Sequence, residues 1–251
     1  MEGARGGMGI RALLAAGLAA GDRIVRFALP PRCPGCGVVT PNDHDFCLAC
    51  WSALDFLDDP LCARCGDPFE IDPGPGALCG ACHAVLPAID GMRAAVRYGP
   101  IARRIALRLK YGRRPGFAQT MARHMRRHIT PDALIVPVPL HRGRIWRRGY
   151  NQAALIARAL ARPDNVPIAI DLIERRKPTP VLRGLGPSAR LKAVRGAFAL
   201  KPGAEVKGRA ILLVDDVYTT GATVNACAAL LKRAGAANVK VLCWARVVRD
   251  D

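Results

Sequence analysis

From residue 89 onward, short aliphatic runs alternate with longer segments in which apolar residues recur every three or four positions. The aliphatic runs predict strands at 92–98, 133–138, 169–173, 197–200, 210–214 and 239–245. The periodic segments predict helices at 101–110, 116–129, 150–162 and 221–234. Strands that alternate with helices are typical of α/β domains, so we expect a parallel sheet flanked by helices over 89–251.

The preceding segment, residues 30–88, is organised by cysteines instead. CxxCG followed by CxxC occurs twice, with the first pairs 29 residues apart, so the segment contains an internal repeat. Zinc prefers four ligands in a tetrahedron, and a CxxC turn can place two thiolates on one ion. We therefore expect a double zinc ribbon with two structural zinc ions; the repeat favours sequential pairing, and interleaved pairing stays open. The expected ligands are Cys33, Cys36, Cys47, Cys50, Cys62, Cys65, Cys79 and Cys82.

Other uses of these cysteines fit the chain less well. Disulfides need an oxidising compartment, and a redox CxxC needs to open a helix after a strand, a context that the pattern does not supply. We expect His44 and His83 to be bystanders, because eight thiolates already suffice for two ions. Cys227 and Cys243 lie in an apolar helix and an apolar strand, so we expect both in the core.

Residues 1–29 predict a short N-terminal helix, because Leu13, Leu14 and Leu18 fall at helical spacing. A secretion signal is the alternative, although Arg11 interrupts its apolar run. No apolar run in the sequence approaches the roughly 18–20 residues of a membrane span. Since eight paired thiols suit a reducing compartment, we expect a cytoplasmic protein.

Positive charge dominates the surface-forming residues. The chain of 251 residues contains 38 Lys+Arg against 20 Asp+Glu, a formal net charge of +18. Residues 93–148 alone contain fifteen Lys or Arg and one acid, Asp132. Solvated helix faces usually mix both signs, so this bias favours an anionic partner such as nucleic acid, nucleotide phosphates or a membrane surface.

The strongest chemical motif follows the strand at 210–214. Two acids, Asp215 and Asp216, come directly after four aliphatic residues, and a turn of small residues then opens a helix: Thr219, Thr220, Gly221, Ala222 and Thr223. Ligands of open α/β sheets bind outside the carboxyl ends of the strands, and a helix N-terminus offers N–H groups to phosphate. Carboxylates beside a phosphate cradle suit a sugar phosphate. A Walker-type ATPase would need GxxxxGK[ST], which the sequence lacks.

These residues resemble the phosphoribosyl-pyrophosphate (PRPP) loop of type I phosphoribosyltransferases. With the cysteine repeat and several further motifs, the chain resembles the ComF/GntX family, bacterial proteins linked to competence and DNA uptake. The further motifs are Tyr98-Gly-Pro100, Leu109-Lys-Tyr-Gly112, Val136-Pro-Val-Pro-Leu140, Arg148-Gly-Tyr-Asn-Gln152 and Arg190…Gly196-Ala-Phe198.

The resemblance implies a role for each matching position. Asp215 and Asp216 would contact the ribose hydroxyls, the first through Mg²⁺, and 219–223 would hold the 5′-phosphate. The implied pyrophosphate loop contains Val138, Pro139, Leu140 and Arg142, with Arg144, Arg147 and Arg148 adding positive field. A hood over 175–196 would close the site with Arg176, Lys177, Arg183 and Arg190. Apolar residues replace the expected polar ones there, at Leu182, Ala189 and Ala193.

Two functions are consistent with the sequence. The first is a PRPP-dependent phosphoribosyltransferase associated with DNA uptake, whose acceptor the sequence leaves open. The second is a non-catalytic protein that holds single-stranded DNA on the basic surface of 93–148. The resemblance also implies a competence helicase or other uptake proteins as partners.

Overall fold

The computed structural model describes residues 28–130, 132–177, 194 and 196–248. The chain divides into two compact units, with the boundary between Trp51 and Ser52. The first cysteine repeat therefore lies in the N-terminal unit, and the second lies in the C-terminal unit together with the sheet. The helix predicted over 1–29 falls almost entirely outside the described residues. Within the described ranges, no helix combines the length and the apolarity needed to cross a membrane.

A parallel sheet is the framework of the C-terminal unit, as the alternating pattern predicts. The strands of the described chain are β1 (Gly91–Arg97), β2 (Leu134–Pro137), β3 (Ile173–Arg175), β4 (Phe198–Leu200), β5 (Ala210–Tyr218) and β6 (Asn238–Arg246). Four of them form one sheet in the order β1-β6-β5-β2, and every pairing in it is parallel. The other two, β3 and β4, form a separate antiparallel pair.

The four predicted helices are all present, together with three further short helices that the periodic pattern does not indicate. The helices are α1 (Leu48–Ser52), α2 (Gly80–Ala84), α3 (Pro100–Tyr111), α4 (Phe117–Met125), α5 (Arg142–Arg148), α6 (Gln152–Ala161) and α7 (Ala222–Arg233), of which α1, α2 and α5 are the three further ones. The predicted helix at 116–129 ends early, in a 3₁₀ turn at Arg126–His128. Helix α5 is not predicted, because its sequence RGRIWRR has no continuous apolar stripe.

Two strand predictions are corrected by the structure. The strand predicted at 169–173 is wrong: the preceding residue, Ile168, makes an isolated bridge with Ile135, and β3 begins only at Ile173. The strand predicted at 210–214 is too short, because pairing with β6 continues to Tyr218 opposite Arg246. The two acids therefore lie inside β5 and not beyond its end.

Alternation along the central strands produces two cores. Ile211 and Leu213 of β5 join a cluster that contains Cys227 of α7 and also Cys62 and Cys65 of the second cysteine repeat. On β6, the buried Trp244 donates from Nε1 to the carbonyl oxygen of Ala102 in α3, at 3.2 Å. Cys227 and Cys243 are fully buried, as expected of core residues. One face of the sheet is thus covered in part by the second cysteine repeat itself.

Candidate functional site

The turn at 219–223 lies between the end of β5 and the first turn of α7, a helix of 12 residues. Gly221 has a positive φ of 71°, and a Cβ there would overlap the hydroxyl of Tyr218. Only glycine fits that position. The turn, Asp215 and the start of α7 line a small cavity of about 40 Å³. Backbone N–H groups of a helix N-terminus thus face a space next to a carboxylate.

The acid pair is divided between the two sides of β5. Asp216 is buried, and its carboxylate lies 2.6 Å from the ammonium of Lys110, in the last turn of α3. Burial alone would lower the pKa of Lys110, but the charge of Asp216 outweighs it and raises that pKa. Asp215 lines the small cavity. Its Oδ1 accepts from the backbone N–H of Asp216 at 2.8 Å.

The surroundings of Asp215 favour binding of a ligand that supplies hydrogen-bond donors or positive charge. Burial, and then the negative charge of Asp216, raise the pKa of Asp215 to about 8. The carboxyl group therefore binds a proton at neutral pH unless hydroxyl donors or a cation stabilise its charged form. Such a group is what a polar ligand with several hydroxyls can recognise.

The predicted pyrophosphate loop lies directly beside this strand. The backbone N–H of Val138 donates to the carbonyl oxygen of Val214 at 2.9 Å, and Asn151 Nδ2 donates to the carbonyl oxygen of Val138 at 3.0 Å. His141 caps α5, because its Nδ1 accepts from the N–H of Gly143 at 3.2 Å. The structure thus brings 138–141 to the same sheet edge as the acid pair, with Arg142 as the first residue of α5.

Several cations lie close enough to influence one another around this edge. Burial and the charge of Arg148 lower the pKa of Arg144, and burial and the charge of Arg144 lower the pKa of Arg175. Arg148 is held by Gln152 Oε1 at 3.2 Å, and its guanidinium lies 4.9 Å from the ring centroid of Tyr111. Cations that destabilise one another in this way favour a bound anion.

The described part of the predicted hood borders a second, larger cavity of about 630 Å³. Its walls include Leu140 of the loop, Ile145 of α5 and Arg176. Nε of Arg176 forms a salt bridge of 2.6 Å with Oε1 of Glu174, a residue of β3. Arg183 and Arg190 lie outside the described residues. Lys177 lies inside them, and its Nζ is 3.7 Å from the position that a Cβ on Gly196 would occupy.

The eight paired cysteines form two separate clusters. The sulfurs of Cys33, Cys36, Cys47 and Cys50 lie within 4.8 Å of one another, and so do those of Cys62, Cys65, Cys79 and Cys82. Pairing is thus sequential, as the repeat favours. Neither His44 nor His83 joins a cluster among the described residues.

Both clusters repeat the same hydrogen bonds. The N–H of Cys47 donates to Cys33 Sγ at 3.4 Å, and the N–H of Cys79 donates to Cys62 Sγ at 3.3 Å. Burial raises the pKa of Cys33 and of Cys62, but backbone N–H groups outweigh it and lower them to about 6 and about 7. Four sulfurs with this spacing match the tetrahedral thiolate site of structural zinc.

Sequence reasoning missed the parts played by three side chains. Lys110 was visible only as part of the motif Leu109-Lys-Tyr-Gly112, which does not reveal its pairing with Asp216. Tyr218 packs against Gly221, and Arg246 joins β6 to the second cysteine cluster. The contact of Tyr218 depends on the left-handed conformation of Gly221, and that of Arg246 joins residues 181 positions apart, so no sequence pattern indicates either one.

Family models match both parts of the chain. A double zinc ribbon domain matches residues 24–83, and a phosphoribosyl transferase domain matches residues 145–249. The clusters described above therefore coincide with a known zinc-binding architecture. The acid pair and the turn lie inside the second match.

Curated relatives align over most of the chain. DNA utilization protein YhgH of Escherichia coli K12 is 34% identical over 233 residues, 88% of this chain and 100% of the relative. Competence protein F of Haemophilus influenzae is 32% identical and covers 86% of this chain and 96% of its own. Competence protein ComFC of Bacillus subtilis is 28% identical, with 78% and 82% covered.

Solved structures give only a weak likeness. A hypoxanthine phosphoribosyltransferase of Trypanosoma cruzi in complex with IMP is 17% identical, with a TM-score of 0.32, over 57% of this chain and 64% of the other. TT1426 of Thermus thermophilus is 16% identical, with a TM-score of 0.33, over 53% and 84%. At these values the fold assignment depends on the family models and the strand order.

Proposed function

Because this chain belongs to the ComF/GntX family, which joins a double zinc ribbon to a phosphoribosyltransferase-like domain, we propose that it binds PRPP where β5 ends and transfers its phosphoribosyl group. The carrying observation is the juxtaposition, within nine residues, of the acid pair, half-buried Asp215 and buried Asp216, and the glycine-containing turn that opens α7. Its relatives are named for competence and DNA utilization, so we place the activity in DNA uptake or use.

The proposed contacts follow the chemistry of the ligand. The 5′-phosphate binds the N–H groups of the turn at 219–223, where the positive end of the α7 dipole adds attraction. The ribose hydroxyls donate to Asp215. These hydrogen bonds stabilise the charged form of its carboxyl group, which burial and the charge of Asp216 disfavour. Lys110 neutralises Asp216, so the sugar site does not confront two uncompensated carboxylates.

The pyrophosphate binds on the other side of the cleft. Val138, Pro139 and Leu140 supply backbone at the end of β2, and Arg142 and Arg148 supply charge. Arg148 is already oriented by Gln152 and Tyr111, so little side-chain entropy is lost when an anion binds.

The donor set also fits magnesium. Mg²⁺ favours one or two carboxylates together with phosphate oxygens of the substrate. The raised pKa of Asp215 indicates that its charged form would be stabilised by a nearby cation. Asp215 would hold the ion, since Asp216 is engaged by Lys110. When bound, magnesium supplies neutralisation of the pyrophosphate charge.

The chain's own residues contribute binding, orientation and exclusion of water. Breaking the bond from the anomeric carbon to pyrophosphate produces an oxocarbenium-like transition state, which needs a stabilised leaving group. Arg142 and Arg148 stabilise the charge that develops on that leaving group. The family resemblance implies a hood that limits hydrolysis, and the described end of it, with Arg176 and Lys177, lies next to the larger cavity.

The acceptor enters through the cavity of about 630 Å³ between the pyrophosphate loop and β3. Its walls are partly aliphatic, with Ile145 and Ile173, and partly charged, with Glu174 and Arg175. This lining suits a small polar acceptor with a flat apolar surface.

Calorimetric titration of the full chain with PRPP tests the proposal. We expect binding that requires Mg²⁺, and loss of about 100-fold or more in affinity when Asp215→Asn and Asp216→Asn are combined, because charged hydrogen bonds are removed. Asp132→Asn, an exposed acid outside the site, is the matched control. Absence of heat with the unmodified protein would refute PRPP binding.

A second candidate function is retention of single-stranded DNA. The observation in its favour is that Trp146 is 88% exposed and Tyr111 is 66% exposed, both among the arginines of α3 and α5. Exposed aromatic rings that alternate with cations are typical of single-strand binding surfaces.

Salt dependence of DNA affinity tests this second function. Replacing Arg103, Arg104 and Arg108 by Ala should reduce the slope of log affinity against log salt by about 2. Trp146→Ala should weaken binding about 5- to 50-fold and Trp146→Phe should restore most of it, because stacking needs only an aromatic face. A slope that the arginine replacements do not change would exclude that surface.

A reducing compartment suits both candidates. Thiolates that bind zinc are lost when they oxidise to disulfides, and the cytoplasm keeps such thiols reduced. We therefore place the protein in the cytoplasm, where PRPP and an incoming single strand would also be encountered.

A further inference from the structure

Arg246, at the end of β6, is buried to an extent unusual for arginine: its side chain is 7% exposed. A buried guanidinium is stable only when its N–H groups and its charge are matched by partners. Those partners all belong to two places, the second cysteine cluster and the strand ends beside the turn at 219–223.

The second cluster supplies most of the partners. Arg246 Nε donates to the carbonyl oxygen of Cys65 at 2.9 Å, and a terminal nitrogen donates to Cys65 Sγ at 3.4 Å. The other terminal nitrogen pairs with the carboxylate of Asp67 at 2.5 Å. One guanidinium therefore contacts a zinc-ligand sulfur and the CxxC turn that presents it.

The opposite side of Arg246 contacts Tyr218. The guanidinium carbon lies 5.7 Å from the ring centroid of Tyr218, and the two residues are paired across β5 and β6. The N–H of Val247 also donates to the carbonyl oxygen of Tyr218 at 2.9 Å. The Tyr218 ring in turn lies against Gly221, so closely that a Cβ would not fit between them.

A continuous series of contacts thus runs from Cys65 through Arg246 and Tyr218 to Gly221. We propose that Arg246 is a positioning residue that couples the second zinc cluster to the turn at 219–223, so that loss of metal from this cluster loosens the turn. Its consequence for ligand binding rests on the proposed PRPP function. Metal in the second cluster fixes Cys65, Cys65 and Asp67 orient the guanidinium, and the guanidinium holds the tyrosine ring beneath the turn.

The first cluster provides a natural control, because the repeat places Cys36 and Val38 where the second cluster has Cys65 and Asp67. Cys36 is exposed, whereas Cys65 is buried. Val38 offers no carboxylate to a guanidinium. Loss of zinc from the first cluster therefore should not affect the turn at 219–223 by this route.

Hydrogen exchange of the full chain without ligand tests the coupling directly. The readout is exchange of two protected amides held by this region, with the zinc content measured in parallel: the N–H of Asn225 donates to the carbonyl oxygen of Gly221 at 2.8 Å, and that of Val247 donates to the carbonyl oxygen of Tyr218 at 2.9 Å. We expect Cys65→Ser to accelerate that exchange about tenfold or more and Cys36→Ser to change it less than about twofold, although each removes one zinc ion.

A second variant keeps the test decisive if Cys65→Ser does not fold. Asp67→Val introduces the residue of the first ribbon and leaves all eight cysteines in place; we expect exchange at the amides of Asn225 and Val247 to rise about threefold or more with two zinc ions retained. Asp67→Glu should recover much of the protection, and Val38→Ala is the matched control. Equal acceleration by both cysteine variants, or unchanged exchange in Asp67→Val, would overturn the coupling.

PRPP titration of the same variants separates this inference from the proposed function. If the exchange pattern holds and PRPP does not bind, the coupling stands and the assigned ligand is wrong. If PRPP binds the unmodified protein while Cys65→Ser and Asp67→Val leave both exchange and affinity unchanged, the ligand stands and the coupling is wrong.

Discussion

The two cysteine repeats share one local structure and differ in what surrounds it. In each, the carbonyl oxygen of the first cysteine accepts from the backbone N–H of the glycine that follows the CxxC pair. Gly37 donates to Cys33 and Gly66 donates to Cys62, both at 2.9 Å. The first repeat lies in a unit that ends at Trp51, and the second lies in the same unit as the sheet. The spacing of the cysteines determines that a cluster of four sulfurs forms. The side chains around each cluster determine which other parts of the chain it stabilises.

The segment that leads into the second repeat is joined to the sheet by backbone, and the repeat itself by side chains. The N–H of Leu57 donates to the carbonyl oxygen of Ala95 at 3.1 Å, and the N–H of Arg97 donates to that of Asp55 at 2.7 Å. Arg64 donates to Asp90 at 3.1 Å. The second cysteine cluster is consequently part of the core that packs on the parallel sheet.

Removal of one ligand from each cluster should give the largest contrast. Because structural zinc supplies folding free energy, Cys65→Ser should lower the main thermal unfolding midpoint by about 10 °C or more, as expected for a few kcal/mol in a unit of this size. Cys36→Ser should leave that midpoint within about 2 °C. Calorimetry measures both, and similar shifts in the two variants would contradict the comparison.

Alanine at the two equivalent glycines should separate the repeats more finely. Gly37 and Gly66 both have positive φ, 89° and 65°, so each substitution costs about 1–2 kcal/mol of backbone strain. A Cβ on Gly66 would also lie 2.7 Å from the carbonyl oxygen of Met92, whereas a Cβ on Gly37 has nothing within 4 Å.

We therefore expect Gly66→Ala to destabilise its unit by about 3 kcal/mol, because strain and overpacking add. Gly37→Ala should leave the main unfolding transition unchanged. Denaturant unfolding of the two variants provides the measurement, and an equal loss in both would show that Met92 moves away at little cost.

The smallest effect concerns Asp90, which links Arg64 of the second repeat to Lys232 of α7. Burial alone would raise the pKa of Asp90, but Lys232, the N–H of Val239 and Arg64 outweigh it and lower that pKa. The carboxylate therefore stabilises the folded state at neutral pH. This stabilisation is lost as the pH falls below the ordinary value of about 4 and through the lower folded pKa.

Asp90→Asn should cost about 1 kcal/mol at neutral pH, since the group is partly exposed. The difference from the unmodified protein should shrink as the pH falls below about 4. Urea unfolding at several pH values measures it. A difference that stays constant down to acid pH would mean that the contacts of Asp90 contribute packing and not charge.

Much of the fold was predictable because its signals are local. Helical spacing at Ile105 and Leu109 indicates α3, and the aliphatic run 211–214 indicates β5. The length of β5 was not predictable, because Asp215 and Asp216 are poor strand formers whose pairing with β6 decides their conformation. Helix α5 was missed for a related reason: its arginines show no apolar stripe.

The sequence by itself determined that four thiolates would gather twice, that a parallel sheet would form, and that a small-residue turn would follow one of its strands. Each of these depends on ligand valence or on a repeat of two to four residues. Only the tertiary structure decided that Lys110 neutralises Asp216 and that Arg246 joins Cys65 to Tyr218. Two of those contacts link residues more than 100 positions apart, and the third joins two parallel strands that are separated in the chain by α7, so no short-range pattern contains them.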